Sequence, residues 1–176
     1  MAVMTKRKIE ELVKSLLEET NISKPPVPVE KVARHLGAVI RFSPLDEELS
    51  GMIFVKEDKS IIGVNALHHP NRQRFTIAHE LGHLFLHKNE ITNEVHVDKQ
   101  FPVLMRDAKS AAGIDNIEIE ANAFAALLLM PTEFVKNSLE DSSFDIDDDE
   151  FIEKLAKKFK VSTQAIQLRL GQIING

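Results

Sequence analysis

The chain has 176 residues, a mass of 19.8 kDa and no cysteine, which excludes disulfides, thiolate metal sites and a cysteine nucleophile. Hydrophobic residues at 43% and charged residues at 28% suit a folded domain and exclude a wholly disordered chain. Acids outnumber bases 27 to 22, and the resulting charge of −5 argues against a broad nucleic-acid-binding surface. The apolar run over residues 124–131 is far shorter than the roughly 20 residues that cross a bilayer. No charged-then-apolar leader opens the chain, so a cytoplasmic protein with no membrane contact is expected.

In chain order, residues 5–19 read as a helix, with Ile9, Leu12, Val13, Leu16 and Leu17 at helical spacing. The Pro25-Pro26-Val27-Pro28 stretch is a stiff connector. A short helix is predicted over 29–36 with Gly37 as its stop. Residues 38–42, 51–55 and 60–64 read as strands, the last two joined by a polar turn at 56–59. A strong helical pattern covers 71–87, and 90–115 reads as irregular, with room for one short strand or helical turn. Residues 117–130 form the most apolar segment, a predicted central helix that Pro131 ends while opening another over 131–139. Residues 140–150 hold seven acids and no base, and two helices are predicted beyond, over 150–159 and 162–174. The fold class is α+β: mainly helical, with a small antiparallel sheet of about three strands.

The most informative segment is His79-Glu80-Leu81-Gly82-His83. Two histidines four apart on a helix share a face, close enough to share one ion. Zinc takes nitrogen and oxygen ligands in a tetrahedron, and the imidazoles supply two corners. Glu80 follows the first of them directly and can take a proton from water that the ion acidifies to a pKa of about 7. This is the zinc-peptidase signature His-Glu-x-x-His, and one zinc ion per chain is expected. Gly82, costly by about 1 kcal/mol inside a helix, predicts that another element comes close there.

A catalytic zinc needs a third protein ligand. His87 lies two turns beyond His79, about 12 Å along the axis, too far to share the ion. Residues 117–124 carry Glu118 and Glu120 in an otherwise apolar helix. Glu118 shares a face with Asn122, which could orient a ligand histidine by hydrogen bonding. Glu120 is rotated by about 200° from Glu118. Glu118 is therefore favoured as the ligand, and Glu120 is expected to face solvent in a helical first turn, where the helix dipole favours acids.

The segments Arg74-Phe75-Thr76-Ile77-Ala78-His79-Glu80-Leu81-Gly82-His83 and Glu118-Ile119-Glu120-Ala121-Asn122-Ala123-Phe124, the latter running on to Met130-Pro131, resemble the ImmA/IrrE metallo-endopeptidase family over roughly residues 25–140. The resemblance implies a zincin-like domain, a few antiparallel strands beside a helix bundle. It implies zinc on His79, His83 and Glu118, with Glu80 as general base. It also implies a protein substrate, a helix-turn-helix repressor or antitoxin encoded nearby, whose cleavage relieves repression in stress or toxin–antitoxin modules of bacteria and mobile elements. One departure matters: the chain has no tyrosine to stabilise an oxyanion, which leaves His96, Arg74 and Arg106 as candidates.

On this reading residues 1–140 form the zinc metallopeptidase domain, and 141–176 an acidic linker and a helix-turn-helix-like hairpin. Gln164, Gln167 and Arg169 could face a DNA groove. The favoured expectation is that the hairpin packs on the rest of the chain or on a protein partner, because a third bracing helix is missing and the basic patch is small. An extended substrate is expected to pair with an exposed edge of the 51–64 hairpin. The rival to an enzyme is a non-catalytic zinc-containing regulator that binds protein or DNA through the terminal helices.

Overall fold

The computed structural model describes residues 4–56, 59–91, 95–99, 114–140 and 148–174. The chain begins with α1 (Lys6–Glu19), capped by the Thr5 hydroxyl, which accepts from the Lys8 amide; Ile9, Val13, Leu16 and Leu17 form its buried stripe. The proline connector leads to α2 (Val29–His35), and Gly37 ends it with a φ of 73°, a conformation that glycine adopts without steric cost.

Three strands follow, β1 (Ala38–Ser43), β2 (Leu49–Lys56) and β3 (Lys59–Asn65), and a fourth, β4 (Val95–Lys99), completes a sheet of order β1-β3-β2-β4. β2 pairs antiparallel with β3 and β4, whereas β1 runs parallel to β3. The α+β class holds, and the sheet is mixed, with β4 arising in the segment that the sequence left irregular. Ile53, Val55, Ile62 and Val64 alternate onto one fully buried face, with Ile53 directly opposite Ile62. Both strands of the β2–β3 hairpin are internal, so neither offers a free edge; the expectation that substrate pairs there is corrected, and among the described residues the outer strands are β1 and β4.

Against the buried face lies α3 (Pro70–Leu86), which continues into the short α4 (Lys88–Ile91). Beside α3 runs α5 (Ile114–Leu129), followed by α6 (Thr132–Glu140). The two long helices approach closely at Gly82. A Cβ there would stand 3.0 Å from Ala121 Cα and 3.1 Å from its carbonyl oxygen. Those are backbone atoms of a packed helix and cannot rotate away. Gly82→Ala should therefore lower stability by about 1–3 kcal/mol through overpacking, although alanine is the better helix former. For a chain this size that is a fall of roughly 2–4 °C per kcal/mol, and a melting curve with unchanged or raised midpoint would refute it.

The chain closes with α7 (Asp149–Phe159) and α8 (Thr163–Ile174). The end of the acidic run has a local purpose: Asp148 caps α7, accepting from the Glu150 and Phe151 amides, and Asp149 and Glu150 occupy its first turn, where the dipole favours them. Lys160 turns the chain in the left-handed conformation, φ 54°. Ile152, Phe159, Ile166 and Leu170 belong to the same core as Ile9, Leu81 and Phe124, so the terminal helices share the interior of the remainder. Arg169 does not face a groove, in keeping with the favoured expectation that the terminal helices pack on the rest of the chain. It is 3% exposed, and its Nε donates to the Met130 carbonyl at 3.0 Å while a terminal nitrogen donates to Thr132 Oγ1 at 2.6 Å. It thus satisfies the end of α5 and the start of α6, which removes it as a groove-reading residue. Gln164 and Gln167 are exposed.

Candidate metal centre

α3 sends His79 and His83 toward α5, both fully buried. Their Nε2 atoms lie 2.9 Å apart. Glu118, one helix away, places Oε2 3.3 Å from His79 Nε2 and Oε1 3.2 Å from His83 Nε2, while its side chain stays 30% exposed. Among the described residues these three form the one cluster with metal-ligand chemistry, every donor atom within 4.8 Å of the others. A tetrahedral zinc at 2.0–2.2 Å from each donor keeps donors about 3.3–3.6 Å apart. The observed triangle is within a few tenths of an ångström of that edge, so the donor set and its spacing fit a zinc ion.

The surroundings of His79 fix its orientation. Asn122 Oδ1 sits 3.1 Å from His79 Nδ1. With that oxygen accepting, Nδ1 carries the proton and Nε2 keeps its lone pair for an ion. Phe75, one turn back, stacks on the other side of the ring, with centroids 6.4 Å apart at 27°. Glu80 is fully buried. Its Oε1 lies only 3.4 Å from where a Cβ on Gly51 would stand, and that Cβ would also collide with Thr76 Cγ2 and come within 2.9 Å of the Gly63 carbonyl oxygen. Gly51 is therefore what lets β2 come against α3 beside Glu80. In the sequence Gly51 reads as an ordinary strand residue, though an isolated glycine in a strand signals close approach.

Glu120 differs from expectation. It is 5% exposed instead of facing solvent. One carboxylate oxygen lies 3.3 Å from His87 Nε2, and the other accepts from the Met4 amide at 2.6 Å. Its 200° phase difference points it away from the triad, as anticipated, but into a second buried contact where α3 ends and the N-terminal segment crosses α5. His87, also buried, is held there and not at the triad.

The oxyanion candidates fare differently. Arg74 is committed elsewhere, donating to the Val27 carbonyl at 2.9 Å and to the Lys160 carbonyl at 3.4 Å, and so ties α3 to the proline connector and to the α7–α8 turn. Burial holds its guanidinium below the ordinary arginine range, with Glu30 opposing. Its guanidinium nitrogens are thus engaged at the proline connector and the α7–α8 turn. His96 lies on β4, opposite Ile53 in the backbone register, and Arg106 falls outside the described residues.

Three comparisons bear on this centre. The profile of a family described as the IrrE N-terminal-like domain matches residues 33–171. The radiation response metalloprotease IrrE of Deinococcus radiodurans is 32% identical over 85 residues, covering 47% of this chain and 23% of that protein. A solved structure of a Mycobacterium tuberculosis transcriptional regulator superposes with a TM-score of 0.60 over 90% of this chain and 45% of that one, at 17% identity, a likeness of fold. The chain therefore spans less than half the length of either. No described helix is long and apolar enough to cross a membrane.

Proposed function

Because the chain belongs to the IrrE N-terminal-like peptidase family, we propose that it is a zinc-dependent endopeptidase with His79, His83 and Glu118 as metal ligands and Glu80 as general base. The observation that carries this reading is the convergence of three donor atoms from α3 and α5 beside a fully buried glutamate. When bound, zinc supplies a Lewis acid that acidifies water and polarises a carbonyl. Glu80 removes the proton from the attacking water and delivers it to the leaving amine. Its carboxylate faces β2 at Gly51, where the absence of a side chain leaves it room. Asn122 keeps His79 in the tautomer that presents Nε2. Asn122→Ala should accordingly weaken zinc binding about 10–100-fold, measured by competition with a chromophoric chelator, with the fold intact. Unchanged affinity would remove Asn122 from the site.

The substrate on this reading is a cytoplasmic protein, a helix-turn-helix repressor or antitoxin encoded beside the peptidase, whose cleavage relieves repression. The test is direct. The purified chain, with one equivalent of zinc, is incubated with the product of the adjacent gene, with and without chelator. Chelator-sensitive appearance of two fragments is expected. An intact partner in every lane, with zinc bound at full stoichiometry, would overturn the reading.

A further inference from the structure

A cleft of about 1390 Å³ opens between the first turns of α3, the end of α5 and the α7–α8 pair. Two of its lining residues, Phe75 and Asn122, are those that flank the His79 ring. The cleft thus reaches the Nδ1 side of the His79 ring, the side turned away from the Nε2 donors. It exceeds the roughly 300–1,000 Å³ typical of small-molecule pockets. Its apolar wall includes Phe75, Ala165 and Leu168, the last two on the α8 face left partly open to solvent.

We propose that this cleft docks an amphipathic helical segment of the protein substrate, holding it beside the metal centre while an adjoining stretch is cleaved. The inference rests on the peptidase reading and names the mode of recognition. The walls decide helix against strand. α3, α5, α7 and α8 border the cleft, and no β-strand among the described residues does. A segment lying there gains no ladder hydrogen bonds and must satisfy its own amides and carbonyls, which a helix does. The size agrees: a bare helix about 10 Å across fills about 420 Å³ per turn, so the cleft takes about three turns.

The rim decides against nucleic acid. Glu47, Glu48 and Glu153 stand against Arg72, Lys157 and Lys160, a balance of charge. A phosphate backbone would meet as much repulsion as attraction, and its binding would fall steeply with salt. Docking of an apolar helical face should change little with salt.

The experiment uses the full chain carrying Glu80→Gln, zinc-loaded and isotopically labelled. It is titrated by NMR with a panel of stapled 12-residue amphipathic helices bearing leucine, phenylalanine or methionine anchors. Peptides of the same composition carrying two prolines serve as extended controls. Saturable shifts at Phe75, Ala165 and Leu168 are expected with at least one stapled helix, at no more than about 1 mM. Leu168→Lys should weaken that binding at least about 10-fold. Should that variant fail to fold, Ala165→Glu makes the same test at a smaller residue. No cleft shifts with any stapled helix, equal binding of the proline controls, or shifts produced by duplex DNA instead would each overturn the proposal. Binding does not depend on turnover. If the Glu80→Gln chain docks the helix yet the unsubstituted chain cleaves nothing, the peptidase reading alone fails, whereas an unsubstituted chain that cleaves while its Glu80→Gln form ignores the panel sinks this proposal alone.

Discussion

Glu80→Gln is expected to bind one zinc per chain as the unsubstituted protein does and to lose cleavage by about 10²–10⁴-fold, the range assigned to a positioned general base. The physical case rests on how closed the position is. The carboxylate is fully buried and faces β2 where Gly51 has no side chain. Glutamine occupies the same volume, so neither Thr76 nor the strand has to move, and the amide can still donate and accept hydrogen bonds. It cannot take a proton from water near neutral pH. Fold and metal should survive while the proton transfer is lost. Elemental analysis and a cleavage time course on one preparation separate the two. Cleavage at the unsubstituted rate would eliminate Glu80 as the base. Unchanged binding of a partner by both forms, with no cleavage by either, is what the regulator reading requires.

The pairing of His79 with His83 was readable because helical phase is local: residues four apart meet whatever the rest of the chain does. The same rule separated Glu118 from Glu120, because their phases differ on one helix. What Glu120 meets was not readable. Its partners are the Met4 amide, 116 positions away in sequence, and His87 at the end of α3. A first-turn glutamate defaults to solvent when only its own helix is considered, and only the packed fold shows otherwise. The parallel β1–β3 pairing and the place of β4 beside β2 were not readable for the same reason, since strand partners are chosen by long-range closure and not by periodicity. Arg169 bears on the less favoured, groove-reading alternative for the terminal hairpin. It lies three residues from Ile166 and one from Leu170, on the face that is buried, and its phase already argued against exposure. Gly82 went the other way: a residue costly to its own helix announced the approach of α5.

Substituting the two glutamates of α5 should cause failures of different kinds. Glu118→Ala removes one of three donors, and zinc affinity should fall by more than the 10–100-fold expected when only a residue that orients a ligand is lost. Zinc stabilises the folded form by binding it, by about 2.7 kcal/mol at a hundredfold excess over the dissociation constant. The rise in melting temperature on adding zinc should therefore vanish in Glu118→Ala, while the metal-free melting temperature stays near that of the parent because this side chain is 30% exposed. Glu120→Gln should do the reverse. The buried His87 loses a charged partner, and the Met4 amide keeps only a neutral acceptor. Stability should drop by about 1–3 kcal/mol, or roughly 2–4 °C for each kcal/mol. Its zinc-induced rise should persist, because the triad keeps all its donors. If instead Glu120→Gln abolishes the zinc response and Glu118→Ala keeps it, the carboxylate ligand has been assigned to the wrong face of α5. If both keep it, the third ligand lies elsewhere in the chain.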